Sequence, residues 1–372
     1  MSSSIFRRLY TGEGGIDFVG RRRLWYSITG AVLVLCLLGI VVRGFTLGID
    51  FEGGTKMNMP AEGISTEAAA EVFTDATGVT PQKVQVVGAG DSRILEINSE
   101  RLNEQQIGDA REQLFDTFQP VDATGRPNPD VVGDSTVSES WGSTITDRML
   151  LALGVFLVLI FGYITVRFER DMAIAAMGGL FVDAVVVAGI YALIGFEVTP
   201  ATVIGLLTVL AFSLYDTVVV FDKVKENTAG FLNTTRRTYA EQANLAVNQT
   251  VMRSIATTVI SALPIAALMV VAVWLMGVGT LKDLALVQFI GVIEGTFSSV
   301  FLATPILVSL KNRQRKVREH NDRVLAEREG RQVSSETSAP DNGRSARRTV
   351  STPVAPVNPG HGSAGASWRP GR

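Results

Sequence analysis

Cysteine and histidine are almost missing from this chain. Its 372 residues include one cysteine, Cys36, inside an apolar run, so disulfides and a cysteine-ligated metal site are excluded. The two histidines, His320 and His361, fall toward the C-terminal end, which leaves no imidazole in the apolar segments for a proton relay or a metal. No lysine follows a glycine, so there is no Walker A loop to cradle a nucleotide phosphate. No cofactor, no metal and no nucleic-acid partner is expected, and the chain does not read as an enzyme. Charge is sparse as well, at 19% against 47% hydrophobic residues.

What is abundant is uninterrupted apolar length. Six runs are long enough to span a bilayer: 24–42, 149–166, and about 172–195, 201–221, 251–276 and 281–310. The first follows Arg21, Arg22 and Arg23 as a signal peptide would, but it is longer than a signal core and no small-x-small cleavage site follows, so it reads as an uncleaved anchor. Basic residues set the orientation. Arg7, Arg8 and Arg21–Arg23 precede the first run, Arg167 and Arg170 separate the second and third, Lys223, Lys225, Arg236 and Arg237 the fourth and fifth, and Lys311, Arg313, Arg315, Lys316 and Arg318 follow the sixth. All fall on one side, which predicts both termini in the cytoplasm.

The expected organisation follows. A cytoplasmic arm covers 1–23, the first span 24–42, an extracytoplasmic domain 43–148, and a bundle 149–310 with a cytoplasmic loop at 222–250. A basic, largely disordered tail covers 311–372. The outside segment is acidic, with 17 Asp and Glu against 6 Lys and Arg between Gly44 and Ser140. Its pattern predicts strands at 55–59, 83–87, 93–98 and 131–137 and helices at 66–77 and 103–118. That βαββαβ order suggests a ferredoxin-like α+β domain between helices one and two of a polytopic, six-helix membrane protein.

A charge at the centre of a membrane helix costs about 2.5–3.5 kcal/mol on insertion scales, so four residues need a reason. Asp183 falls near the middle of the third run and Asp216 in the cytoplasmic half of the fourth. Arg253 lies just inside the fifth, and Glu294 is mid-run in the sixth. The antiparallel neighbours carrying Asp216 and Arg253 favour an ion pair, able to hold a carboxylate poised to take and release a proton. The plainer alternative is a satisfied structural charge beside a snorkelling arginine. Asp183 reads equally as functional or as structurally hydrogen-bonded. Glu294, inside GVIEG, reads as a buried interhelical hydrogen bond in a small-xxx-small packing face. After the first run comes LGIDFEGGT, where Gly48, Gly53 and Gly54 permit a tight backbone at the membrane exit. Asp50 and Glu52 there read as an interface turn, with an acid–base pair as the alternative.

GIDFEGGT after the first run, SLYDTVVVFDKVKEN ending the fourth, VNQTVMRSIATT opening the fifth and GTFSSVFLATPIL in the sixth together resemble the SecF family, from about residue 21 to 311. The resemblance implies a subunit of the bacterial Sec machinery in the cytoplasmic membrane. It implies pairing with SecD in a complex similar to RND (resistance-nodulation-division) transporters, and use of the proton gradient to pull preproteins outward. SecYEG, YidC, indirectly SecA, the unfolded preprotein and membrane lipids are the implied partners. Residue by residue, it places the family's intramembrane aspartate at Asp216, its arginine at Arg253 and its third-span aspartate at Asp183. Glu294 and Glu52 depart from the pattern, and Glu294 inherits no role. A half-size RND-like exporter of a lipid or small molecule, or a membrane sensor or scaffold that transports nothing, are the other classes the residues allow.

Overall fold

A backbone crossing hydrocarbon must satisfy its hydrogen bonds within itself, which makes helices of the long apolar runs. The computed structural model describes residues 16–122, 124–271 and 279–337. Two units divide the chain, Met1–Glu327 and Arg328–Arg372; among the described residues the second holds only the end of the last helix.

The first span is α1 (Arg22–Arg43), followed by β1 (Thr46–Leu47) and a one-turn helix α2 (Ile49–Glu52). The next elements are β2 (Gly54–Pro60), α3 (Thr66–Thr77), β3 (Lys83–Val87), β4 (Ile94–Ser99), α4 (Glu104–Phe118) and β5 (Gly133–Val137). Ser65 caps α3 by accepting from the Ala68 N–H, and Asn103 and Gln106 form a reciprocal capping box on α4. The strands pair antiparallel in the order β3-β4-β2-β5. Alternation sorts the two faces of this sheet. Met57, Met59, Leu95 and Ile97 point to one side and bury Ala69, Phe73, Ala110 and Leu114 of α3 and α4. Lys56, Lys83, Glu96 and Asn98 belong to the other face.

The remaining spans are α5 (Glu139–Arg167), α6 (Arg170–Ile194), α7 (Pro200–Asn227), α8 (Tyr239–Leu268) and a composite of α9 (Gly279–Ser298), a π-helical segment (Ser299–Ala303) and α10 (Thr304–Lys311). Among the described residues six helices are thus long and apolar enough to cross a membrane. α6 is the most enclosed of them, whereas α1 and α5 present much of their surface outward, as lipid-facing helices do.

Small residues set the helix spacing. A Cβ on Gly291 would meet Val209 Cγ1 at 2.0 Å, one on Gly295 would meet Ser213 Cβ at 2.7 Å, and one on Gly205 would meet Val287 Cγ1 at 2.3 Å. These contacts step together along both chains, so α7 and α9 run parallel with their backbones closely apposed. α1 and α6 repeat the device: Cys36 packs on Gly189 and Leu193 on Gly39.

Two regions depart from the sequence expectation. α8 begins at Tyr239, ahead of the apolar run, because Tyr239, Ala243, Ala246, Val247 and Val251 form a buried stripe packed with Phe18 and Val19. The expected loop 222–250 therefore shrinks to 228–238. Bordering that stripe, two asparagines hold the N-terminal arm: Asn244 Oδ1 accepts from the Phe18 N–H at 2.8 Å, and Asn248 Nδ2 donates to the Ile16 carbonyl at 2.8 Å. Residues 1–15 of the expected arm and 272–276 of the expected fifth run lie outside the described residues. The tail 311–372, expected to be largely disordered, begins with α11 (Arg315–Thr337). Val317, His320 and Val324 are buried along one stripe of it, with His320 edge-on to Phe231 at 5.0 Å. The stretch from 338 onward is not described.

Gly53 and Gly54 join the bundle to the sheet. Both have positive φ, +80° and +139°, and a Cβ would strike the Glu139 backbone N at 2.9 Å and the Ser99 carbonyl at 2.5 Å respectively. Gly142 of α5 sits against the Phe51 carbonyl, where a Cβ would fall at 2.4 Å. Gly54→Ala is expected to cost about 2–4 kcal/mol from backbone strain and overpacking. Thermal unfolding of the detergent-solubilised chain would show this as a clearly lowered midpoint, and an unchanged midpoint would remove the constraint.

Candidate functional site

Asp216 lies on the inward stripe of α7, 4% exposed. Two hydroxyls from neighbouring elements hold its carboxylate. Ser254 Oγ of α8 donates to Oδ1 at 2.7 Å, and Ser299 Oγ donates to Oδ2 from the π-helical segment. The π segment has a local cause. Pro305 supplies no N–H, so a carbonyl one turn earlier loses its helical donor, and the ladder readjusts there. The readjusted turn carries Ser299. Its hydroxyl also stands 3.0 Å from the Thr296 carbonyl, so its single hydrogen has two acceptors to choose between.

The expected Asp216–Arg253 ion pair is not formed: none of the ion pairs among the described residues joins them. The facing residue is Ser254, one position on. A helix turns about 100° per residue, so two antiparallel helices that match 216 with 254 on the inside match 215 with 253 on the outside. Arg253 Nη2 accordingly lies 3.4 Å from the Tyr215 hydroxyl, and both residues are exposed at the rim of the bundle. Arg253 remains within Coulombic range of Asp216.

Asp183 of α6 is 1% exposed and accepts a hydrogen bond from Ser213 Oγ. Ser213 is one turn from Asp216 on α7, so both aspartates address one polar stripe of that helix. The carboxyl of Glu294 on α9 is in hydrogen-bonding contact with that of Asp183, and Ser298 reaches Asp183 as well. The structure thus gathers Asp183, Asp216 and Glu294 around α7 and leaves Arg253 at the rim. Sequence reasoning missed Ser254, Ser298 and Ser299. Their signal is polar residues inside apolar runs at the heights of the aspartates. Among the described residues no cluster of three or more His, Cys, Asp or Glu side chains is placed to hold a metal ion.

A second polar centre ties the sheet to the bundle. β1 pairs in parallel with β6 (Glu197–Val198), and the Gly48 N–H donates to the Val198 carbonyl at 2.9 Å. Glu197, only 5% exposed, accepts from Asn98 Nδ2 at 3.2 Å and lies 3.8 and 3.7 Å from the Lys56 and Lys83 amines. The polar face of the sheet is therefore buried on the bundle, which explains why Glu96 and Asn98 are enclosed. Gly48, Gly53 and Gly54 all lie in this joint. Asp50 falls in the first turn of α2, where its charge suits the helix N-terminus.

Comparison with known proteins bears on both centres. Residues 119–313 match the family described as protein export membrane protein SecD/SecF, C-terminal, and residues 39–63 match the SecD/SecF GG motif. The chain is 55% identical to the protein translocase subunit SecF of Mycobacterium tuberculosis over 91% of this chain and 77% of that one. It is 40% identical to SecF of Streptomyces coelicolor over 86% and 83% of the two chains. The crystal structure of SecDF from Thermus thermophilus, described as a translocon-associated membrane protein, superposes with a TM-score of 0.69 at 27% identity. That match covers 80% of this chain and 39% of the other.

Proposed function

The chain belongs to the SecF family of SecD/SecF protein-export membrane proteins and is an auxiliary subunit of Sec protein translocation; from that premise we propose that it pairs with SecD and couples the proton gradient to late steps of preprotein export. The observation that carries the reading is Asp216, a carboxylate buried inside a membrane bundle with two serine hydroxyls for partners and, among the described residues, no ion pair. Intramembrane carboxylates mark proton or ion pathways. An ionised Asp216 accepts from Ser254 and Ser299. Once protonated, it has its own hydrogen to donate, and Ser299 is free to turn its hydrogen to the Thr296 carbonyl. The rotor sits in the π segment, so one proton biases the helix where its ladder is already broken.

Pairing with SecD is supported by the fused SecDF relative and by the half-size, six-span bundle. The rim bearing Tyr215 and Arg253 would be costly to leave against lipid, and a second bundle would cover it. The basic ends of the helices support a bacterial inner-membrane protein with both termini in the cytoplasm and the sheet domain outside it. The strand order β3-β4-β2-β5, with α3 and α4 as crossovers on one face, supports a ferredoxin-like domain. Glu197 and the GG joint are the route by which helix movement reaches that domain, where an emerging preprotein would bind. SecYEG, YidC and SecA are the corresponding partners on the translocon.

Affinity purification of the tagged chain from its own membranes tests the pairing, with mass spectrometry of the eluate. A stoichiometric SecD subunit is expected. Gradient-dependent export at full rate in membranes depleted of SecD would refute it.

A further inference from the structure

Glu294 takes no part in the hydrogen bonding of Asp216. Its carboxyl meets that of Asp183 across the α6–α9 contact. One oxygen of each acid, Asp183 Oδ1 and Glu294 Oε2, is buried without a hydrogen-bond donor from the protein. Two ionised carboxylates offer acceptors only, and cannot satisfy one another. Buried acceptors are seldom left orphaned. One hydrogen held between the two acids satisfies both at once, in the way paired carboxylates share a proton.

The geometry points to Asp183 and Glu294 as a second proton-holding station, in series with Asp216 and resting on the proton-coupled reading above. The pair holds one proton and one negative charge. Taking up a second proton neutralises it, and losing the first leaves two facing anions. The surroundings of the station are apolar on one side, where Glu294 borders a cavity of about 470 Å³ between α1, α6 and α9, bounded by Ile28, Val186, Ile190, Phe289 and Phe297. The station is connected to Asp216, because Ser213 donates to Asp183 from a position one turn from Asp216, and Ser298, near Asp183, precedes Ser299 in the chain. The other titratable groups facing the pair are Cys36 from α1 and Asp216 along α7, with Arg253 beyond it from α8.

Infrared spectroscopy of the full chain in lipid tests this, through the deuterium-sensitive stretch of protonated carboxyl groups. Wild type should show a component lost in both Glu294→Gln and Asp183→Asn and kept in Asp216→Asn. The Gln side chain preserves size and can donate to Asp183, so packing survives while the movable proton is gone; should that variant fail to accumulate, Asp183→Asn gives the same reading. In the complex with SecD, Glu294→Gln should also reduce export to the level seen without a gradient. A carboxyl band unchanged in Glu294→Gln, or full gradient-dependent export by it, overturns the station whatever Asp216 does. Loss of the band in Glu294→Gln, together with full export by Asp216→Asn, keeps the station and overturns Asp216 as carrier.

Discussion

Asp216→Asn, assembled with SecD, is expected to abolish the gradient-dependent part of preprotein export and to leave the gradient-independent part unchanged. Asparagine matches aspartate in size, and its Oδ1 can accept from one of the two serines while its Nδ2 donates to the other, so the packing around α7, α8 and the π segment should hold. What it cannot do is bind and release a proton near working pH. The loss should therefore be about tenfold or more in gradient-stimulated rate, a barrier change of about 1.4 kcal/mol or more, without loss of assembly. Ser299→Ala should give a partial version, because it keeps the carboxyl and removes the rotor. Quantifying export into inverted membrane vesicles with and without an ionophore measures both terms. Equal ionophore sensitivity in Asp216→Asn and wild type would contradict the role.

Gly295→Val is the second large effect. The new Cβ would lie 2.7 Å from Ser213 Cβ, with two methyl groups beyond it, so α7 and α9 must move apart. Overpacking of this kind costs about 1–3 kcal/mol. The functional cost should be larger, because the same contact holds Ser213 to Asp183 and Ser299 to Asp216. Thermal unfolding should fall by several degrees, and gradient-dependent export should vanish. At Gly154 and Gly162 on α5 a Cβ would meet nothing within 4 Å, so Val at either position is the matched control and should be silent. A silent Gly295→Val would mean that the close α7–α9 contact is not required.

Much of this was legible because two periodicities carry it. Alternation marked β2 as a strand, and in the fold the same alternation in β2 and β4 sorts Met57, Met59, Leu95 and Ile97 from Lys56, Glu96 and Asn98. Apolar length found the six spans. Hydropathy does not see a helix that continues past the apolar run, which is why the start of α8 and all of α11 were read as loop and tail. In both, the missed signal was a stripe: Tyr239, Ala243, Ala246 and Val247 in one, Val317, His320 and Val324 in the other.

At the site, the acids were legible one by one and their partners were not. Asp216 and Arg253 were matched by height in the membrane, but a one-residue step rotates a helix by about 100°, which puts Ser254 opposite Asp216. Nothing local announces that Glu294 meets Asp183. Their contact depends on how α6, α7 and α9 interlock through Gly179, Gly291 and Gly295, a property of packing across distant parts of the chain. The π segment was hidden likewise: Pro305 is its only local signal, and a proline in an apolar run does not by itself specify a π turn.

The central claim is that Asp216 carries protons when the chain works. Proton flux into proteoliposomes holding the complex with SecD, SecYEG and SecA, followed by a trapped pH-sensitive dye during translocation of a preprotein, tests it most directly. Wild type should take up protons in step with export, and Asp216→Asn should take up none above empty vesicles. Flux through Asp216→Asn equal to wild type, with export intact, would contradict the account.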